Sequence, residues 1–105
     1  MAAVFRVDSF QVSSAALPQF RSAAQRSLAV LRSQPGFVRD QWFERIEGTG
    51  RFNIVTLVEW EDASFLPVAG AAVRASHEGA GFNPEAFAIQ HGIDQSKAVY
   101  SAYPA

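Results

Sequence analysis

Few residues of this 105-residue chain have side chains suited to chemistry, and they are spread thinly. Two histidines, His77 and His91, are the natural acid–base groups near neutral pH. His77 closes an apolar helical pattern just before a glycine-rich stretch; His91 has less context and reads as a surface residue. Asn53 is a polar residue on an otherwise apolar strand. If buried it must be hydrogen-bonded. Arg74 lies on the second predicted helix, where it could reach a cavity mouth. Tyr100 and Tyr103 read as ordinary strand residues. No Cys/His cluster at zinc spacing is present, so no metal site is expected. The runs "GTG" and "GAG" are too short for a phosphate-binding loop. Two unplaced histidines do not make a nucleophilic triad.

Composition narrows the classes further. Hydrophobic residues make up 49% of the chain and charged ones only 18%, below the usual quarter. Nine residues are Phe. A domain of this size has limited interior, so some of that bulk must meet a partner surface. The net charge is −1 and no basic run exists, which argues against nucleic acid or an anionic membrane as partner. Cysteine is absent, which excludes disulfides and thiol chemistry. The N-terminus lacks the pattern of a signal peptide, and no apolar run approaches the roughly 20 residues that cross a bilayer. A single cytoplasmic domain over 1–105 is the expectation.

The elements that must position these residues follow from periodicity. "AVFRVDSFQV" (Ala3–Val12) reads as a strand with a bulge near Asp8–Ser9, where its alternation shifts phase. Leu17, Phe20, Ala24, Leu28 and Leu31 recur at helical steps, giving a helix over about Ser14–Ser33 with Pro18 in its first turn. "QPG" (Gln34–Gly36) stops it. A second strand is predicted over Phe37–Gly48 and a third over Arg51–Trp60, joined through a glycine-containing turn and therefore antiparallel. Phe52, Ile54, Thr56, Val58 and Trp60 share one face of that third strand. "WEDAS" (Trp60–Ser64) supplies caps for a second helix beginning near Phe65. "EAFAIQHGI" (Glu85–Ile93) adds a short helical piece, and Lys97–Tyr103 a last strand.

The order is β-α-β-β-α-β, a ferredoxin-like α+β fold with a four-stranded antiparallel sheet and its helices on one face. The third strand is apolar on both faces. One face packs under helices; the other is expected to pack against a second copy, giving a homodimer through the sheet faces.

Two stretches carry a resemblance beyond this. "QPGFVRDQWFER" opens the second strand, and "IVTLVEWEDASF" places a tryptophan, an acidic residue and a small capping residue at the strand–helix corner. The chain resembles the antibiotic biosynthesis monooxygenase (ABM) superfamily, whose members form dimeric α/β-barrels. That superfamily includes cofactor-free oxygenases of polycyclic phenols and haem-degrading enzymes. The resemblance implies a pocket between sheet and helices that binds an aromatic small molecule, with no cofactor needed. It makes Trp60 the pocket wall, with Thr56, Arg74 and Tyr100 as further substrate-binding residues. His77 or Asn53 would assist deprotonation of a phenol. The alternatives are a non-catalytic ligand-binding dimer and, less favoured, a haem-degrading enzyme. Haem-degrading relatives carry an axial histidine on the second helix and an asparagine on the first strand. This chain has His77 on that helix but Asp8 at the strand position.

Overall fold

A computed structural model describes residues 2–104. Its elements are β1 (Val4–Gln11), α1 (Leu17–Arg32), β2 (Phe37–Glu44), β3 (Ile54–Trp60), α2 (Leu66–Gly79), α3 (Pro84–His91) and β4 (Asp94–Tyr100), with a 3₁₀ turn over Ala63–Phe65 before α2. The four strands form one antiparallel sheet in the order β2-β3-β1-β4. This is the ferredoxin-like α+β fold that the element order predicts. Among the described residues no helix is long and apolar enough to cross a membrane.

Local chemistry explains the boundaries. The Ser13 carbonyl accepts from the backbone N–H of Ala16 and Leu17, both at 3.1 Å, and Pro18 follows in the first turn of α1. Asp62 Oδ1 accepts from the Ser64 N–H at 2.6 Å and starts the turn into α2. Asn83 Oδ1 accepts from the Ala86 N–H at 3.0 Å, Pro84 takes the first position of α3, and Gly92 ends it at φ 62°.

Three expectations are corrected. β1 carries no bulge: its pairing with β3 runs one to one from Val4↔Trp60 to Phe10↔Ile54. The register shift falls instead at Phe37/Arg39, on β2. The phase change in β1 arises because Arg6 and Asp8 lie on the helix side, where an apolar residue is expected. β2 and β3 are shorter than predicted at the hairpin, ending at Glu44 and starting at Ile54. β4 begins three residues early, at Asp94, because Gly92 ends α3 immediately before it.

The registers sort every strand residue by face. Val4, Arg6, Asp8 and Phe10 share the helix side with Trp60, Val58, Thr56 and Ile54. Salt bridges hold α1 over β2: Arg21 grips Glu44 through two hydrogen bonds of 2.9 and 2.6 Å, and Arg32 pairs with Asp40 at 2.7 Å. Glu44 also accepts from Trp42 Nε1 at 3.0 Å, and its carboxyl is held below the ordinary range, first of all by Arg21. Two apolar clusters form beneath the helices. One gathers Val12, Ala16, Phe20, Ile54 and Ile93; the other gathers Leu28, Val58, Trp60 and Ala69. Phe20 meets Phe10 and Trp42 edge-on, with centroids 4.8 and 6.0 Å apart.

The opposite face has no helix over it. Phe5, Val7, Val55 and Leu57 are half-buried there, and Phe43 and Tyr100 are 46% and 49% exposed.

Candidate functional site

A cavity of about 380 Å³ lies between the sheet and the helices and borders both apolar clusters. That is within the range of small-molecule sites. Its floor is the helix side of β1, β3 and β4. Its roof is α1, α2 and the Phe82–Ala88 segment.

Four of the six expected site residues line it: Trp60, Thr56, Arg74 and His77. Trp60 ends β3 almost wholly buried, at 1% exposure, with Phe37 edge-on at 5.9 Å. It is both a core residue and a wall of the cavity. Thr56, two rows along the same face, is buried between Asp8 of β1 and Trp42 of β2.

The other two lie elsewhere. Asn53 is a structural residue. Its Oδ1 accepts from the Val12 N–H at 2.8 Å and its Nδ2 donates to the Val12 carbonyl at 2.9 Å. The side chain thus continues the β1–β3 ladder past its last backbone pair, and both ends of the amide are committed. Tyr100 pairs with Phe5 in the β1–β4 register, and both point to the open face of the sheet. It does not line this cavity because β4 runs with the opposite phase to the one a pocket role requires.

His77 has a definite setting. Its Nε2 lies 3.0 Å from Ser27 Oγ on α1, and the Phe82 ring meets it edge-on with centroids 5.2 Å apart. Burial, then Lys97, then Arg26 hold its pKa below that of an ordinary histidine. Each disfavours the imidazolium, so the ring is neutral at neutral pH and can accept a proton. His91 stacks on Phe87 at 4.5 Å and does not line the cavity.

Three cavity residues escaped the reading of the sequence. Arg6 Nε donates to Asp8 Oδ1 at 2.7 Å, forming an ion pair on the cavity floor. Lys97 faces the cavity directly across from Asp8 in the β1–β4 register. Ser27 interrupts the apolar stripe of α1 between Ala24 and Leu28. That polar interruption was its only visible signal.

Comparison with solved structures places the chain. It superposes on a proposed monooxygenase from Shewanella loihica with a TM-score of 0.73, at 16% identity, covering 96% of this chain and 94% of that one. SnoaB, a cofactor-independent oxygenase from Streptomyces nogalater, matches with a TM-score of 0.69 at 25% identity, over 97% of this chain and 94% of that one. The chain folds as an ABM domain. A manganese protoporphyrin complex of MhuD has the same fold, with a TM-score of 0.72 at 18% identity, over 94% of this chain and 93% of that one. No protein-family profile and no curated protein sequence matches the chain.

The residues of this chain do not fit an iron porphyrin. The histidine that would face the iron has its ring packed edge-on against Phe82, with centroids 5.2 Å apart. The strand position where haem-degrading relatives carry asparagine holds the carboxylate of Asp8, fixed to Arg6. Nor do three His, Asp or Glu side chains gather as a metal cage anywhere among the described residues.

Proposed function

We propose that this ABM domain is a cofactor-free monooxygenase acting on an electron-rich phenol. The observation that carries the reading is a ligand-sized, largely apolar cavity walled by Trp60, with His77 hydrogen-bonded to Ser27 at its edge. The likeness to SnoaB supports it. The aromatic substrate lies on Trp60. Its hydroxyl proton passes to His77 Nε2 directly or through Ser27 Oγ, and leaves a phenolate. That anion gives one electron to dioxygen, and the resulting radical and superoxide combine at the ring carbon. The ring carbon exchanges its one hydrogen for an oxygen atom and becomes a carbonyl; that hydrogen and the hydroxyl proton leave with the second oxygen atom as water. Electrons balance without a metal or flavin, because the substrate is the reductant. Arg74 and Thr56 help hold the substrate's oxygens.

Oxygen-electrode measurements with a panel of anthrone-type phenols test this. The purified protein is expected to consume one dioxygen per substrate without added cofactor. An uptake rate equal to the protein-free rate across the panel would overturn the proposal.

The open sheet face supports a homodimer as the working unit. Phe43, Val55, Leu57, Phe5, Val7 and Tyr100 form an apolar layer that a second copy would cover. Sedimentation at low micromolar concentration is expected to give twice the 11.4 kDa protomer mass. A Phe43→Glu substitution is expected to return it to the protomer mass. A wild-type protein that sediments as a single protomer would refute the dimer.

A further inference from the structure

The charges around the cavity do not cancel. Arg6, Arg74 and Lys97 line it, and the only acidic side chain among the lining residues is Asp8, already bonded to Arg6. With His77 neutral, the lining carries two excess positive charges in a chain whose net charge is −1. Elsewhere four of six cations meet a carboxylate, while Arg26 bonds to Ser22 and Arg45 to the Gly50 carbonyl. Arg21, Arg32, Arg39 and Arg51 each meet a carboxylate within 2.6–2.8 Å. Among the described residues Arg74 and Lys97 form no ion pair. They are placed at the rim of a largely apolar chamber, where field lines are focused and a charge interacts more strongly than on an open surface.

The backbone accommodates this placement. Arg74 lies one turn after Gly70 on the cavity face of α2. A Cβ at Gly70 would stand 3.4 Å from Arg74 Nη1, so the guanidinium folds back along the helix over the glycine. A Cβ there would make only ordinary van der Waals contact with the guanidinium, so Arg74 does not depend on the glycine. Lys97 enters the cavity from β4, beside the Arg6–Asp8 pair.

We infer that the ligand of this cavity carries a fixed negative charge, a carboxylate, separate from the aromatic ring that rests on Trp60, and that Arg74 and Lys97 receive it. A phenol alone is neutral on entry and would leave both cations without a charged partner. The inference rests on the cavity being a binding site for an aromatic ligand, but not on oxygenation.

Calorimetric titration with a naphthoate, against the matching naphthamide and the naphthoate methyl ester, tests it. The three share a ring and differ in charge. The carboxylate is expected to bind about tenfold more tightly than either neutral analogue, the scale of one to two kcal/mol for charge pairs at partly exposed sites. That preference should shrink in higher salt. In the double variant Arg74→Gln/Lys97→Gln it should fall to within about twofold, with naphthamide still bound. Naphthamide binding also shows that the variant's cavity is intact. Equal binding of acid and amide, binding of neither, or a preference that survives the double substitution would overturn the inference. Its fate is separate from that of the oxygenase proposal. A protein that prefers the carboxylate yet never consumes oxygen keeps this inference and loses the other; oxygen uptake with charge-blind binding does the reverse.

Discussion

A Gly36→Ala substitution is expected to cost this domain about 2–5 kcal/mol, a large part of the roughly 5–15 kcal/mol that a chain of this size has. Two causes act on one atom. Gly36 has φ +83°, a left-handed conformation that costs a non-glycine residue about 1–2 kcal/mol. The added Cβ would also land on the Phe65 ring, 2.7 Å from Cδ1 and nearer still to Cγ and Cδ2. Because Cγ is the root of the ring, Phe65 cannot swing clear without leaving its rotamer, and overpacking of this kind costs about 1–3 kcal/mol. The site is a junction: the Gly36 carbonyl also accepts from the Glu61 N–H at 2.9 Å, tying the start of β2 to the end of β3. Urea unfolding of Gly36→Ala, Phe65→Ala and the double variant separates the causes. The double variant should recover the steric part and keep the backbone part, so its cost should be less than the sum of the singles. Strict additivity would mean that the ring contact is not the cause.

That junction also shows which parts of the fold could be read from sequence. "QPG" announces a helix stop because Pro and Gly act locally, and the same holds for the cap at Asp62. Element order follows from such local signals. The contact between Gly36 and Phe65 spans 29 positions and has no sequence signature. Tyr100 fails for a related reason. Which face a strand residue takes depends on its register with the neighbouring strand, and one residue of phase moves a side chain across the sheet. Nothing within "KAVYSAY" fixes its pairing to Phe5. The bulge expected at Asp8 errs in the opposite sense. Alternation assumes an apolar inner face, whereas the inner face of β1 carries Arg6 and Asp8 because a cavity stands there. A broken pattern on a core-facing strand was therefore evidence of a site, as was Ser27 on the apolar stripe of α1. Thr56 and Trp60, on a strand whose alternation is unbroken, were placed correctly by parity alone.

The largest kinetic effect is expected at His77. If it takes the phenolic proton, His77→Gln should lower kcat by about 10²–10⁴-fold, the usual contribution of a positioned base, with ligand affinity and thermal unfolding little changed. Ser27→Ala should act in the same direction and more weakly, since direct transfer to Nε2 remains open. A pH profile separates a base from a packing residue. His77 must be neutral to work, so kcat should rise with pH through its folded-state pKa. Burial, Lys97 and Arg26 all lower that pKa, which puts the acidic limb below the ordinary histidine value of about 6.5. Removing one of the three causes moves the limb in a known direction: Lys97→Gln should shift it upward, toward 6.5. Stability follows the same sign. A depressed histidine pKa means that the unfolded chain binds the proton more readily. The stability linked to neutral His77 is therefore full above about 6.5 and is lost as pH falls through the folded-state pKa. His77→Gln should flatten that part of the stability profile and abolish the limb in kcat together. A limb that persists in His77→Gln would assign the titration to another group and remove His77 from the reaction.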